Sequence, residues 1–209
     1  MRARITFTKQ GALRYTGHLD LHRLWERAMR RADLPISYSQ GFHPQPKISL
    51  AAALPLGFSS RGEVLDVRLN EDIPTEEIAT RLKDNLPPDI QVTRVESVDE
   101  RAPALQTQVV SAAYEVHLTE PVDGSDLKRK VEELMKSESL PRERRGKFYD
   151  LRPLIEMLDM VTEADGKVWL KMTLAARDGA TGRPEEVLNA LEILPEYTRV
   201  ERTSLIFQE

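Results

Sequence analysis

A pattern of punctuation near the middle of this chain returns about one hundred residues later. Glu76-Glu77 before Ile78 reappears as Glu185-Glu186 before Val187, an offset of 109 residues. Leu86-Pro87 returns as Leu194-Pro195 at an offset of 108, and Arg94-Val95-Glu96 as Arg199-Val200-Glu201 at 105. A drift of four residues is what altered loop lengths produce. Two copies of this size predict tandem modules, because a solenoid needs more and shorter units. A length of 209 residues suits two domains of roughly 100 each.

The periodicities inside each half agree. Arg4–Thr8 alternates as a strand, and a helix is expected over about 19–33, with Leu21, Leu24, Trp25, Ala28, Met29 and Ala32 on one face. Strands follow around Lys47–Ala52 and Glu63–Leu69, then a helix after Pro74, then a strand at 90–96. The second half repeats the order: a strand at 114–118, a helix at 126–136, a long strand or bent hairpin arm near 146–161, and a strand at 168–174. A helix from Pro184 and a strand at 197–207 complete it. The reading is an α+β chain of tandem ferredoxin-like βαββαβ modules with antiparallel sheets. The modules are placed at 1–99 and 110–209, joined by a weakly patterned connector at 100–109. The rival reading is a single α+β domain with one larger sheet.

Composition narrows the chemistry. There is no cysteine, which excludes disulfides, zinc fingers and any cysteine-bound iron–sulfur cluster held by this chain. No apolar run approaches a membrane span, and no export signal is visible, so a cytoplasmic location is expected. The formal net charge of −4 conceals an uneven distribution: residues 1–50 carry 9 Lys/Arg against 3 Asp/Glu. Binding surfaces answer to such local potential rather than to the total.

Arg23, Arg27, Arg30 and Arg31 occupy one broad side of the first predicted helix, where their planar forks suit phosphate. Glu26 stands four positions before Arg30 and is expected to pair with it. Arg142, Arg144, Arg145, Lys147 and Arg152 form a second cluster, opposed over 142–152 only by Glu143 and Asp150. Between them in function lies the stiff segment Tyr38–Lys47, where Tyr38 and Phe42 offer stacking surfaces and Lys47 a further charge. His18, His22 and His43, with Asp20 to orient an imidazole, are the candidate acid–base set. The same three histidines could ligate a divalent metal if the loop folded over the helix. The two basic clusters and the loop are expected to line one groove.

The motifs Arg14-Tyr15-Thr16-Gly17-His18-Leu19-Asp20-Leu21, Glu26-Arg27-Ala28-Met29-Arg30-Arg31-Ala32 and Tyr38–Ile48 closely resemble the radical-SAM-linked family built around domain of unknown function 2344. Leu54-Pro55-Leu56-Gly57 and Tyr149-Asp150-Leu151-Arg152-Pro153-Leu154-Ile155 extend the resemblance along the chain. It implies an RNA- or ribosome-related setting, with a radical-SAM enzyme or an RNase E/G-type ribonuclease as partner. Lacking cysteine, this chain would depend on a separate partner for iron–sulfur chemistry and needs no cofactor of its own. A looser similarity, to tandem ferredoxin-like RNA-binding proteins of bacterial CRISPR systems, raises histidine-dependent cleavage. The glycine-rich loop characteristic of those proteins is missing. The leading expectation is an RNA-binding accessory protein for an RNA-modification or processing enzyme. The alternatives are a histidine-dependent RNA endonuclease and a protein-binding scaffold without RNA contact.

Overall fold

Two-residue alternation at the N-terminus forms the first strand, β1 (Arg2–Lys9), in which Ala3, Ile5 and Phe7 are fully buried and Arg4, Thr6 and Thr8 only partly so. The computed structural model describes residues 1–208 and divides the chain into two units, Met1–Val109 and Val110 onward. Both are mixed α/β.

In the first unit, α1 (His18–Arg31) buries Leu21, Trp25, Ala28 and Met29, and Phe7 of β1 meets Trp25 edge-on with ring centroids 4.7 Å apart. The helix stops four residues before Pro35, and Asp33 reverses the chain at φ 50°. Then come β2 (Ile48–Leu50), β3 (Ser59–Arg68), α2 (Thr75–Lys83) and β4 (Val92–Val98). The sheet order is β2-β3-β1-β4, with every pairing antiparallel. Ile78 and Leu82 of α2 complete the core against the strands.

Register sets Arg4 of β1 opposite Asp66 of β3. Asp66, 4% exposed, accepts from Arg2 Nε at 2.9 Å and Nη2 at 2.6 Å, and from Arg4 Nε at 2.8 Å. The remaining donors of Arg2 reach the carbonyls of Ala102 and Pro103 at 2.7 and 2.8 Å. Residues 100–109, expected as a connector, are therefore held against the first unit. They form a short helix, α3 (Leu105–Gln108), with Leu105 buried.

The second unit runs β5 (Val109–Leu118), α4 (Gly124–Lys136), β6 (Pro141–Arg144), β7 (Lys147–Asp150), β8 (Ile155–Thr162), β9 (Val168–Arg177), β10 (Ala180–Thr181), α5 (Pro184–Ala190) and β11 (Thr198–Phe207). The strand order is β8-β9-β5-β11, with β10 also on β9. Asp123 caps α4 through the amides of Ser125 and Asp126, and α4 buries Leu127, Val131 and Leu134. The bent arm expected near 146–161 is two elements: β6–β7, a separate two-stranded ribbon, and β8. Arg145 and Gly146, at φ 51° and 74°, make the two-residue turn of that ribbon, whose positive dihedrals match the strand twist. No helix is long and apolar enough to cross a membrane among the described residues.

Candidate functional site

The same 3.6-residue period that buries Trp25 sets Arg23, Arg27 and Arg31 in a row along one flank of α1, about 6 Å apart per step. That row forms one wall of an open cleft of about 770 Å³. Asp20 and Leu24 share the wall, and the exit of α2, Asp84-Asn85-Leu86-Pro87, faces them. Where α1 and α2 end, Arg81 Nη1 donates to the carbonyl of Asp33 at 3.1 Å and Arg31 reaches that of Asn85 at 3.5 Å.

The charge of this wall is largely free. Arg23 meets Asp20 at 3.4 Å, with both side chains about two-thirds exposed, a pairing of little strength in water. Arg27 and Arg30 have no hydrogen bond or ion pair among the described residues. The expected Glu26–Arg30 pair does not form. By contrast, Arg2 and Arg4, counted in the same basic segment, are consumed by Asp66.

The segment after α1 is a closed loop rather than an extended strap. Tyr38 bridges Pro46, the amide of Ser39 donates to Gln45 O at 2.8 Å, and the Ser39 hydroxyl accepts from the Gln45 amide at 2.9 Å. Gly41, at φ 125°, allows the tip to turn. Phe42 stands fully exposed there, with His43 beside it, while Tyr38 and Lys47 flank the neck on the surface.

The histidines are dispersed in role. His18 is the exposed first residue of α1. His22, one turn later, is half-buried with Nε2 3.1 Å from the carbonyl of Ile48, and this contact ties α1 to β2. His43 lies on the exposed loop. No group of three or more histidine or carboxylate side chains suited to a metal ion exists among the described residues, so the three-imidazole set is not assembled.

In the second unit, strand register sorts the other cluster. Arg142 faces Tyr149 and Arg144 faces Lys147, so these four share one side of the β6–β7 ribbon. Arg145 sits at the turn, and the exposed Phe148 lies on the opposite side with Glu143. Arg144, Arg145 and Lys147 make no ion pair among the described residues. Arg152 differs: Nη2 donates to Met135 O at 2.8 Å and Nη1 to Ile155 O at 2.9 Å, which ties the end of α4 to the start of β8. Its fork is spent inside the fold.

Asp150 Oδ1 accepts from the amides of Leu140 and Arg152, at 2.8 and 2.9 Å, and closes the base of the ribbon. These two backbone donors hold its carboxyl below the usual carboxylate range. Burial, seconded by Glu186, pushes the Tyr149 phenol up, and its hydroxyl has no partner among the described residues.

The wall made by Asp84–Pro87 was not legible as part of a site. Leu86-Pro87 reads in sequence as a repeated punctuation and Pro87-Pro88 as a helix stop, and nothing local shows that the segment faces α1. A stacked pair, His117 of β5 over Trp169 of β9 at 5.7 Å, likewise arises from strand register alone.

No curated protein matches this sequence. Among solved structures, the chain is similar to one from "Crystal Structure of a Cbf5-Nop10-Gar1 Complex", with a TM-score of 0.51 and 9% identity. The match covers 97% of this chain and 48% of that one, so the chain spans about half the length of this structural neighbour. At that identity the likeness is one of fold. The motif resemblance is borne out at the level of family: a family model described as "Uncharacterized protein conserved in bacteria (DUF2344)" matches residues 2–184, and the chain belongs to that family.

Proposed function

We propose that this protein binds RNA and presents it to an RNA-modification or processing enzyme. The observation that carries the reading is the row of arginines in a cleft, with Arg27 and its neighbour Arg30 left without carboxylate partners. Guanidinium forks without internal partners are suited to phosphate oxygens. A fully exposed phenylalanine at the tip of a pinned loop, in the same unit, adds a surface on which a base can stack. Each unit is read as a ferredoxin-like module, a reading supported by the β-α-β-β-α-β order and the antiparallel strand pairing in the first. The Arg142–Lys147 ribbon supplies a second set of phosphate contacts to the same RNA. The structural neighbour comes from a complex of several proteins, and we read this chain too as one member of an assembly. A radical-SAM enzyme or an RNase E/G-type ribonuclease is the partner class the family resemblance suggests, working in the cytoplasm. Binding is favoured over histidine-dependent cleavage because His22 is engaged by a main-chain carbonyl.

The test is binding of labelled cellular RNA by the purified protein over a range of salt. The double substitution Arg27→Glu with Arg30→Glu, shown to be folded, should abolish most of the affinity. Unchanged affinity would overturn the assignment of this face. RNA cleavage by the wild-type protein that is lost in His18→Ala or His43→Ala would replace the accessory reading with the nuclease one.

A further inference from the structure

Resting on the RNA reading above, we propose that the α1 cleft takes a single strand, with one backbone phosphate at each of Arg23, Arg27 and Arg31, and does not accept a duplex. The helix places these three side chains at i, i+4 and i+8, with successive Cβ atoms about 5–6 Å apart, along a ridge that turns gently round the helix. That repeat is close to the separation of successive phosphates in an extended strand.

The shape of the site points the same way. A cleft of about 770 Å³ lies in the range of sites that enclose small ligands, and it admits a short run of nucleotides. The exit of α2 rises opposite the arginines, so the row lies in the wall of a cleft instead of on a convex face that a double helix could approach. Leu24 and Leu86, both partly buried, give the walls apolar surface against which a ribose or a base face can rest. Asp20 and Asp84, on opposite walls, disfavour phosphates beyond those the arginines hold. Arg30, on the crest beside the row, is outside the cleft lining and serves approach more than seating.

Fluorescence anisotropy with labelled oligouridylate, with the same strand annealed to oligoadenylate, and with folded cellular RNA tests this on the full chain. The single strand should bind more tightly than the duplex. Arg27→Gln should weaken strand binding about tenfold or more, as expected for a lost charge-assisted contact. The log–log salt dependence should become shallower by about 0.7 for Arg27→Gln and by about 2 for the triple Arg23→Gln/Arg27→Gln/Arg31→Gln, at ~0.7 per phosphate on a single strand. Arg27→Lys should retain the slope, since it keeps the charge and loses the fork. If no RNA of any form binds, the RNA reading itself falls. If RNA binds but duplex competes as well as strand, or the triple substitution leaves the slope unchanged, the RNA reading stands and the single-strand cleft is refuted.

Discussion

Asp66→Ala separates the arginines that build this fold from those left for a ligand. Asp66 and Arg2 are about 95% buried and Arg4 nearly as much, with Asp66 accepting four guanidinium donors at 2.6 to 3.1 Å. Removing the carboxylate leaves the Arg2 guanidinium without its counter-charge in a site with little water. Breaking a buried pair from one side costs about 3–5 kcal/mol, against about 0–1 kcal/mol for an exposed one. At roughly 4 °C per kcal/mol for a unit of this size, the first unit should melt about 12–20 °C lower. Differential scanning calorimetry reads this directly. Replacing the pair, as Arg2→Met/Asp66→Leu, should recover much of the loss, because the unpaired charge goes with the carboxylate. RNA affinity of Asp66→Ala, measured well below its melting temperature, should match wild type. A loss under about 1 kcal/mol would mean that water reaches these guanidiniums, and the division of the N-terminal arginines into structural and available sets would fail.

Trp25→Ala should cost about 3–5 kcal/mol in denaturant unfolding, since the indole is fully buried against Phe7 and its loss leaves a cavity. Arg152→Ala should lower stability by about 1–2 kcal/mol through the abandoned carbonyls of Met135 and Ile155, whereas Arg144→Ala should leave stability unchanged and weaken RNA binding. Arg27→Glu and Arg145→Glu should each weaken the same RNA complex. Non-additivity in the double variant is the result expected if both residues hold one bound RNA, and strict additivity argues for independent contacts. Because the Asp150 carboxyl is held below its ordinary value, its stabilising effect is complete above about pH 4 and is lost as pH falls through the folded value. The stability gap between wild type and Asp150→Asn should therefore be constant near neutrality and close in acid, as followed by circular dichroism.

The sequence by itself determined most of the helices and strands and their order, because helix and strand periods are written by residues three, four or two positions apart. The Leu21–Met29 stripe, the β1 alternation and the stop before Pro87-Pro88 were all legible on that scale. The arginine row on α1 was legible for the same reason: one helix face needs no knowledge of what lies opposite. Tertiary structure alone decided which charges remain free. Arg2 and Arg4 look as available as Arg27 in the sequence, yet strand register brings Asp66 to them from more than 60 residues away. Arg152 sits among free arginines but meets the last turn of α4, and His22 meets Ile48 across 26 residues. The second wall of the cleft comes from the exit of another helix. Local geometry fixes what each side chain faces within a turn, whereas charge neutralisation depends on the few ångströms that separate distant segments after packing.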